Sequence, residues 1–233
     1  MTPGSKNNAP TAEATRVFAV DLHVHTGFVH AFPGRPTPFD PLGLRLACLV
    51  ARARGLDAIA VTNHDFSSPL PDSLYGVGIV PGIEISTTQG HLLVVGPNPP
   101  TRTEPGALDP HEAVDLAHER GCAAVLAHPF RNSTLRDVDA PFDAVELNAK
   151  RPGQTGRVVE LARERVLPLV GASDAHVPLE VGTAYTLVNE APTAASIVEA
   201  IRTGEVDVHV ETGLLPLLRD RVYGFVHRLR GHG

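Results

Sequence analysis

Histidine and acidic residues follow apolar, strand-like runs at five places in this chain. Imidazole and carboxylate groups are the ligand set for zinc, manganese or iron. The first of these five motifs is Asp21-Leu22-His23-Val24-His25. Its two histidines are two residues apart, and in an extended strand they point to the same side. One metal site can therefore use both. The other four places are Thr62-Asn63-His64-Asp65, Pro81-Gly82-Ile83-Glu84, Ala127-His128-Pro129 and Ser173-Asp174-Ala175-His176.

These groups are distant in sequence but occupy comparable positions in their elements. The carboxyl ends of parallel strands open onto one face of a sheet or barrel, so that the groups can meet in one pocket. Pro129 cannot extend a strand's hydrogen bonding and places His128 at the rim. Glu84 lies near the end of the apolar strand expected at residues 79–85, where a carboxylate can bridge two cations about 3.5–4 Å apart. A lone His-x-His pair is better explained by two hydrogen-bonded imidazoles, but the recurrence of such clusters favours a metal-dependent hydrolase.

Strand-like and helix-like segments alternate along the chain, which favours parallel strands covered by helices. We expect near seven or eight strands. Asp40-Pro41 and Asp109-Pro110-His111-Glu112 combine an N-cap with a proline in the first turn, and Glu112 is placed to complete a capping box. Residues 67–78 are interpreted as a loop, and a helix at 193–203 ends before Gly204.

The length of 233 residues and the hydrophobic fraction of 42% predict one barrel-sized domain over residues 16–233, preceded by a disordered tail at 1–15. The net charge of −6 provides no basic field, which argues against broad nucleic-acid binding. No apolar run approaches the ~18 residues of a membrane span, and the first residues lack the apolar core of a signal peptide. We therefore expect a cytoplasmic protein. Cys48 and Cys122 lie in apolar segments and are expected to be buried free thiols.

The motifs together resemble those of the PHP (polymerase and histidinol phosphatase) superfamily. The matching pieces occur in the family order and span about residues 19–177. The resemblance implies a distorted (β/α)7 barrel with up to three divalent metals at the strand C-termini, and its enzymes mostly hydrolyse phosphate esters. The pieces that carry it are Asp21-Leu22-His23-Val24-His25-Thr26, Thr62-Asn63-His64-Asp65, Gly82-Ile83-Glu84, Ala127-His128-Pro129 and Ser173-Asp174-Ala175-His176.

The resemblance also implies nine metal ligands. The first metal is expected on His23, His25, Glu84 and Asp174, the second on Glu84, His91 and His128, and the third on His64, His176 and His30. Many relatives carry Asp where this chain has His30, and relatives usually carry Asp where it has Asn63. We expect Asn63 to orient an imidazole instead of binding a metal. Zinc, manganese and iron all suit such mixed ligands, as two or three divalent ions.

The chemistry expected at such a centre is hydrolysis of a phosphate ester by a metal-bridging hydroxide, with His176, Asp174 and Arg131 as the catalytic candidates. Metal coordination makes hydroxide available at neutral pH and neutralises the anionic ester. No base is indicated that would activate Ser173 as a nucleophile. A guanidinium matches phosphate oxygens, and the cations expected near the phosphate are Arg35, Arg131, Lys150 and Arg151.

Two other functions stay open at this point. One is hydrolysis of a non-phosphate bond, such as an amide, at the same centre, and the other is a non-catalytic metal-binding regulatory module. The expected partner is a small phosphorylated substrate; the end of a nucleic acid is possible but not indicated. A terminal helix at 214–230 with a basic face is expected to pack on the barrel, with contact to a nucleic acid or a membrane surface as the alternative. His111 and His118 are expected to be solvated helix residues, and the oligomeric state is open.

Overall fold

The computed structural model describes residues 16–27 and 38–211. The predicted tail, the terminal helix at 214–230, His30 and Arg35 lie outside the described residues. Within the described ranges the strands are β1 (Phe18–Val24), β2 (Ala58–Val61), β3 (Ser73–Leu74), β4 (Val77–Thr87), β5 (Gly90–Val95), β6 (Ala123–Leu126), β7 (Ala144–Leu147), β8 (Leu169–Gly171), β9 (Ala184–Val188) and β10 (Val206–Val210). The α-helices are α1 (Pro41–Ala53), α2 (Pro110–Glu119), α3 (Thr155–Arg165) and α4 (Ala194–Thr203).

The strands form one mixed sheet in the order β10-β9-β1-β2-β4-β5-β6-β7-β8, with β3 paired to the start of β4. The prediction of a distorted α/β barrel is confirmed. The expectation of parallel strands holds for β1-β2-β4 and β6-β7-β8 but is wrong for the pairs β4–β5, β5–β6, β1–β9 and β9–β10. Only Thr88 and Gln89 separate β4 from β5, and a connection this short can join only antiparallel neighbours. These extra antiparallel strands also raise the strand count above the expected seven or eight.

The nine strands of this order curl into a nearly closed barrel where β8 meets β9. The Gly171 N–H donates to Thr186 Oγ1, and the Thr186 hydroxyl donates to the Gly171 carbonyl, each at 2.9 Å. A Cβ at Gly171 would overlap the Tyr185 carbonyl, so the approach depends on glycine. Beyond β8, Ala175 exchanges backbone hydrogen bonds with the end of β1. This pairing brings the segment 173–176 beside His23 and His25.

Strand β1 contains a bulge that aims its histidines into the barrel. Between Asp21 and Val24 it has one more residue than the facing part of β2. Leu22 packs in the interior cluster with other buried apolar residues, and His23, directly after it, contacts the interior residue Glu84. Neighbouring residues of a regular strand face opposite sides, and the extra residue of a bulge removes that alternation.

The helix starts predicted from capping residues are confirmed. Asp40 accepts a hydrogen bond from the Leu42 N–H at 2.8 Å at the start of α1. Asp109 and Glu112 form the reciprocal capping box of α2. Helix α4 ends at Gly204, whose φ of 74° lies in the left-handed region.

The interpretation of residues 67–78 as a loop is wrong for its last part. Ser73–Leu74 forms β3, and β4 begins at Val77, with Gly78 paired to Ala58. Gly78 allows close approach to β2, since a Cβ there would lie 3.2 Å from the Ala58 Cβ.

The apolar core fills the barrel below the histidines. Interior side chains from most strands form one buried cluster, which Ile197 and Ile201 of α4 join. Cys48 and Cys122 are buried and free, as predicted. The longest described helix, α1, has 13 residues, and no described helix combines the length and apolar character of a membrane span.

Candidate metal centre

Glu84 lies at the middle of a cluster of imidazoles at the carboxyl ends of the strands. Its Oε2 is 3.3 Å from the Nε2 atoms of His23 and His25 and 2.9 Å from His64 Nδ1. Its Oε1 is 2.8 Å from His91 Nδ1 and 2.9 Å from His128 Nε2. One fully buried carboxylate therefore faces five histidines that come from four separate segments of the chain.

Glu84 does not end its strand, contrary to the sequence-based expectation. Strand β4 pairs with β2 up to Pro81 and with β5 from Gly82 onwards, so it continues past Glu84 to Thr87. The exchange of partners takes β4 from the parallel part of the sheet to an antiparallel hairpin. His91, at the start of β5, thereby reaches the same carboxylate from the opposite strand of the hairpin.

Asp174 closes the cluster from the segment after β8. Its Oδ1 lies 3.6 Å from His23 Nε2 and 3.5 Å from His25 Nε2, whose own Nε2 atoms are 3.1 Å apart. Asp174 and His128 both have positive φ angles, 52° and 26°. Such conformations cost non-glycine residues roughly 1–3 kcal/mol and are concentrated at functional sites.

The donor atoms of this cluster meet the requirements of divalent cations. Glu84 Oε2 and Asp174 Oδ1 are buried without a hydrogen-bond partner among the described residues, and buried carboxylates normally have one. The paired Nε2 atoms of His23 and His25 also converge on one point. Three overlapping sets each have their ligand atoms within 4.8 Å of one another: His23, His25 and Asp174; His64, Glu84 and His91; His25, His64 and His176.

The carboxylates of Glu84 and Asp174 are kept ionised by the positively charged groups around them. Burial would raise the pKa of Glu84, but His23, His64 and a hydrogen bond from His128 hold it well below its ordinary value. Burial opposes ionisation of Asp174 in the same way, and Lys150, His176 and His23 lower its pKa well below its usual range. Burial lowers the pKa of His23, yet the nearby carboxylates raise it well above the ordinary value. A bound cation would supply the positive charge that protonated imidazoles otherwise must provide.

His25 and His176 are held as neutral imidazoles. Burial is the main cause of the lowered pKa of His25. Burial and the neighbouring His25 lower the pKa of His176 well below its ordinary value. The neutral form is the one that binds metals, so these two shifts fit ligands better than proton donors.

Two carboxylates that were not predicted as metal ligands, Glu146 and Asp21, hold the histidines and their neighbours in position. Glu146 accepts from the His128 N–H at 2.7 Å and lies 3.2 Å from His23 Nδ1. Its position in the strand Val145-Glu146-Leu147 was the only sign of a role. Asp21 accepts from the N–H groups of Ser173 and Gly182, at 2.9 and 2.8 Å.

Two further carboxylates support the rim of the centre. Asp65 accepts from the Ser86 N–H at 2.9 Å and the Thr103 hydroxyl at 2.7 Å, which fixes the turn that carries His64. Glu180 accepts from the His176 N–H at 2.7 Å. Outer carboxylates of this kind orient ligands and tune their basicity.

Two sequence-based interpretations of polar residues, those of Asn63 and His118, need correction, and the contact of a third polar residue, Ser173, is described with them. Asn63 does not contact an imidazole through its side chain; its Oδ1 accepts from the Thr26 N–H at 2.8 Å and so fixes the chain after His25. Ser173 is buried, and its hydroxyl donates to the His23 carbonyl. His118 is half-buried instead of solvated, and its Nε2 lies 2.8 Å from Asp143 Oδ2.

The predicted phosphate-binding cations occupy different situations. Arg131 donates to Asp174 Oδ2 and places its second terminal nitrogen 3.0 Å from His128 Nε2. Lys150 Nζ lies 3.4 Å from Asp174 Oδ2 and 3.1 Å from His176 Nδ1. Arg151 is exposed on the adjoining loop. The structure thus brings Arg131 and Lys150 into the centre and leaves Arg151 at its edge.

A family model described as PHP-associated matches residues 153–206. No curated protein matches the sequence. Among solved structures, PsfC from Pseudomonas syringae is similar with a TM-score of 0.71 and 21% identity, over 89% of this chain and 98% of that one. A Bacteroides vulgatus two-domain protein containing a predicted PHP-like metal-dependent phosphoesterase has a TM-score of 0.58 and 17% identity, over 91% and 70%. The lesion-specific endonuclease PfuEndoQ from Pyrococcus furiosus has a TM-score of 0.60 and 19% identity, over 83% and 58%.

Proposed function

We propose that this chain is a metal-dependent phosphoesterase of the PHP superfamily. The observation that carries the proposal is the buried Glu84 carboxylate, which faces five histidines and has an oxygen without a hydrogen-bond partner among the described residues. Three imidazole nitrogens lie within 3.3 Å of that oxygen without donating a well-aligned hydrogen bond to it, an arrangement that a cation between them would explain.

The proposed ligands fall into three groups around Glu84. One cation would be held by His23, His25 and Asp174 with Glu84, a second by Glu84, His91 and His128, and a third by His64 and His176 with His30, which lies outside the described residues. Bound divalent ions would lower the pKa of water and offset the charge of a phosphate ester. Zinc, manganese and iron suit this mixture of nitrogen and oxygen donors.

Phosphate is the favoured substrate group because cationic side chains border the ligands on one side. Arg131 and Lys150 both contact Asp174 Oδ2, the oxygen turned away from His23 and His25. They hold the carboxylate in one orientation, and their remaining N–H groups can bind phosphate oxygens. Asp174 and His176 would thus position the metal ions, and Arg131 would contact both Asp174 and the phosphate of the substrate.

The test combines metal analysis with a substrate panel. The purified protein should contain at least two equivalents of zinc, manganese or iron by elemental analysis and should hydrolyse phosphomonoesters or phosphodiesters. His128→Ala and Asp174→Ala should each lower the metal content of the protein. Each should also lower kcat/KM by about 100-fold or more. His111→Ala, a change of an exposed histidine on α2, is the matched control and should alter neither.

The results separate the proposed function from the two alternatives. Activity on amide or ester substrates with none on phosphate esters would replace phosphoester hydrolysis by hydrolysis of another bond. Full metal content without turnover of any substrate would indicate a non-catalytic metal-binding module. An unchanged metal content in both centre variants would contradict the metal centre itself.

A further inference from the structure

A cleft of about 730 Å³ opens from the proposed metal centre on the side of His91 and His128. Its volume is within the range of sites that bind small molecules. One wall is the turn between β4 and β5, residues 86–90, and the other is the loop at 131–134 with Arg151. A phosphate bound at the centre would extend its ester group into this cleft, because His91, His128 and Arg131 lie at its inner end.

The two walls of the cleft are fixed to each other by backbone contacts. The Gln89 carbonyl accepts hydrogen bonds from the N–H groups of Thr134 at 2.8 Å and Leu135 at 3.0 Å. Gly90 has a φ of 145°, and a Cβ there would overlap Ser133 Oγ. The walls therefore meet too closely for a side chain at Gly90, and the cleft is already formed before a ligand binds.

The walls present polar side chains with unused hydrogen-bonding groups. The side chains of Thr88, Gln89, Asn132 and Arg151 are exposed, and none has a hydrogen bond or ion pair with another described residue. Together they offer hydroxyl and amide groups, which can both donate and accept hydrogen bonds, and a guanidinium group, which only donates. Such groups bind hydroxyls well, and they lose hydrogen bonds to water when an apolar group covers them.

The described walls offer no ring on which a base could stack. Their only rings are the imidazoles of His91 and His128, which face Glu84. The nearby Phe130 is covered by Arg157, whose guanidinium carbon lies 4.1 Å from the ring centroid. Aromatic side chains are the usual platforms for nucleobases and other flat groups, and the described part of this cleft lacks them.

We infer that this cleft binds the leaving group of the phosphate ester and selects a polyhydroxylated one, a sugar or a polyol, over a nucleoside or an aryl group. The inference rests on the proposed phosphoesterase function and adds its substrate class. Gln89 and Asn132, one on each wall, are the specificity-determining residues, because their amides can bind vicinal hydroxyls from two sides. A site built to hydrogen-bond a substrate discriminates strongly against analogues that lack those groups.

The test compares substrates of the manganese-loaded full-length protein. Glucose 6-phosphate, glycerol 3-phosphate, AMP and p-nitrophenyl phosphate are assayed with the unmodified protein and with Gln89→Ala and Asn132→Ala. We expect each variant to lower kcat/KM for the sugar and polyol phosphates about tenfold, mainly through KM, and to lower kcat/KM for p-nitrophenyl phosphate much less, because its leaving group offers no vicinal hydroxyls. Asn98→Ala, an exposed asparagine beyond the other end of β5, is the matched control and should change no substrate.

The outcomes distinguish failure of the inference from failure of the proposed function. If the protein hydrolyses AMP with the highest kcat/KM, or if both variants affect all four substrates equally, the cleft does not select a polyol and the inference alone is wrong. If the protein with a full metal content hydrolyses none of them and no other phosphate ester, the proposed function is wrong and the inference falls with it. Circular dichroism of both variants verifies that a lowered kcat/KM does not come from unfolding.

Discussion

Glu146 connects two of the proposed ligands with its two oxygens. Oε1 lies 3.2 Å from His23 Nδ1, and Oε2 accepts from the His128 N–H at 2.7 Å. A carboxylate that accepts from the outer nitrogen of a ligating imidazole fixes its tautomer and raises its basicity. Glu146 therefore orients two proposed metal ligands, His23 and His128, without being a proposed ligand itself.

We predict that Glu146→Gln lowers metal affinity and kcat/KM about 10–100-fold while the protein stays folded. Glutamine keeps one acceptor oxygen but turns an NH2 group towards either His23 or the His128 N–H, so one of the two contacts is lost. Titration with zinc or manganese and a phosphatase assay measure the two effects. Glu160→Gln, on the exposed face of α3, is the matched control. Equal affinities of Glu146→Gln and the unmodified protein would contradict this positioning role.

Asp21 gives a prediction for the pH dependence of stability. Burial is the main influence on its carboxyl and raises its pKa from 3.8 to about 6. The folded protein thus binds the proton more tightly than the unfolded chain, and the contribution of this group to the free energy of unfolding falls as the pH rises from about 4 to about 6. A shift of about two units corresponds to roughly 3 kcal/mol.

The measurement is urea unfolding of metal-free protein and of Asp21→Asn at several pH values between 4 and 8. Asparagine does not titrate, so the difference in unfolding free energy between the two proteins isolates Asp21. The free energy of unfolding of the unmodified protein minus that of Asp21→Asn should fall between pH 4 and pH 6 and stay constant at higher pH. A difference that is flat over this range would mean that Asp21 titrates normally.

At the level of the elements, the helix starts and the convergence of the histidines were predictable, whereas the mechanism of convergence was not. Asp40, Asp109 and Gly204 act through neighbours within one turn, so their roles can be read from local sequence. The bulge after Asp21 and the exchange of partners by β4 at Gly82 depend on strands distant in sequence. Alternation of apolar residues carries no information on such pairings.

The contact between β8 and β9 closes the barrel and is testable at Thr186. Thr186→Val keeps the shape of the side chain but leaves the Gly171 N–H and carbonyl without their hydroxyl partner. Two unsatisfied buried backbone groups should lower the free energy of unfolding by roughly 2–5 kcal/mol. Thr203→Val removes a hydroxyl from the exposed end of α4 and should change stability by at most about 0.5 kcal/mol. Urea denaturation compares them, and similar values for the two variants would show that the contact contributes little.

At the scale of the whole molecule, the proposed cations would connect segments that the backbone alone leaves separate. The ligands come from β1, the turn after β2, the middle of β4, the start of β5 and the segments after β6 and β8. Without cations, the ionised Glu84 and Asp174 are offset by neighbouring histidines and lysine. Metal binding is thus expected to stabilise the closed barrel as well as to supply its chemistry.

Removal of metal should therefore lower the thermal stability of the protein. At a free metal concentration 100 times Kd, binding to the folded state alone adds about 2.7 kcal/mol to the free energy of unfolding. For a chain of this size the chelated protein should unfold roughly 5–10 °C lower in scanning calorimetry. Readdition of manganese or zinc should restore the Tm, while Asp174→Ala should gain much less from the same addition because it lacks a ligand between His23 and His25. If chelation leaves the Tm unchanged in a protein that bound metal beforehand, the ions do not connect the strands, and the cluster of histidines must be stabilised by the protein alone.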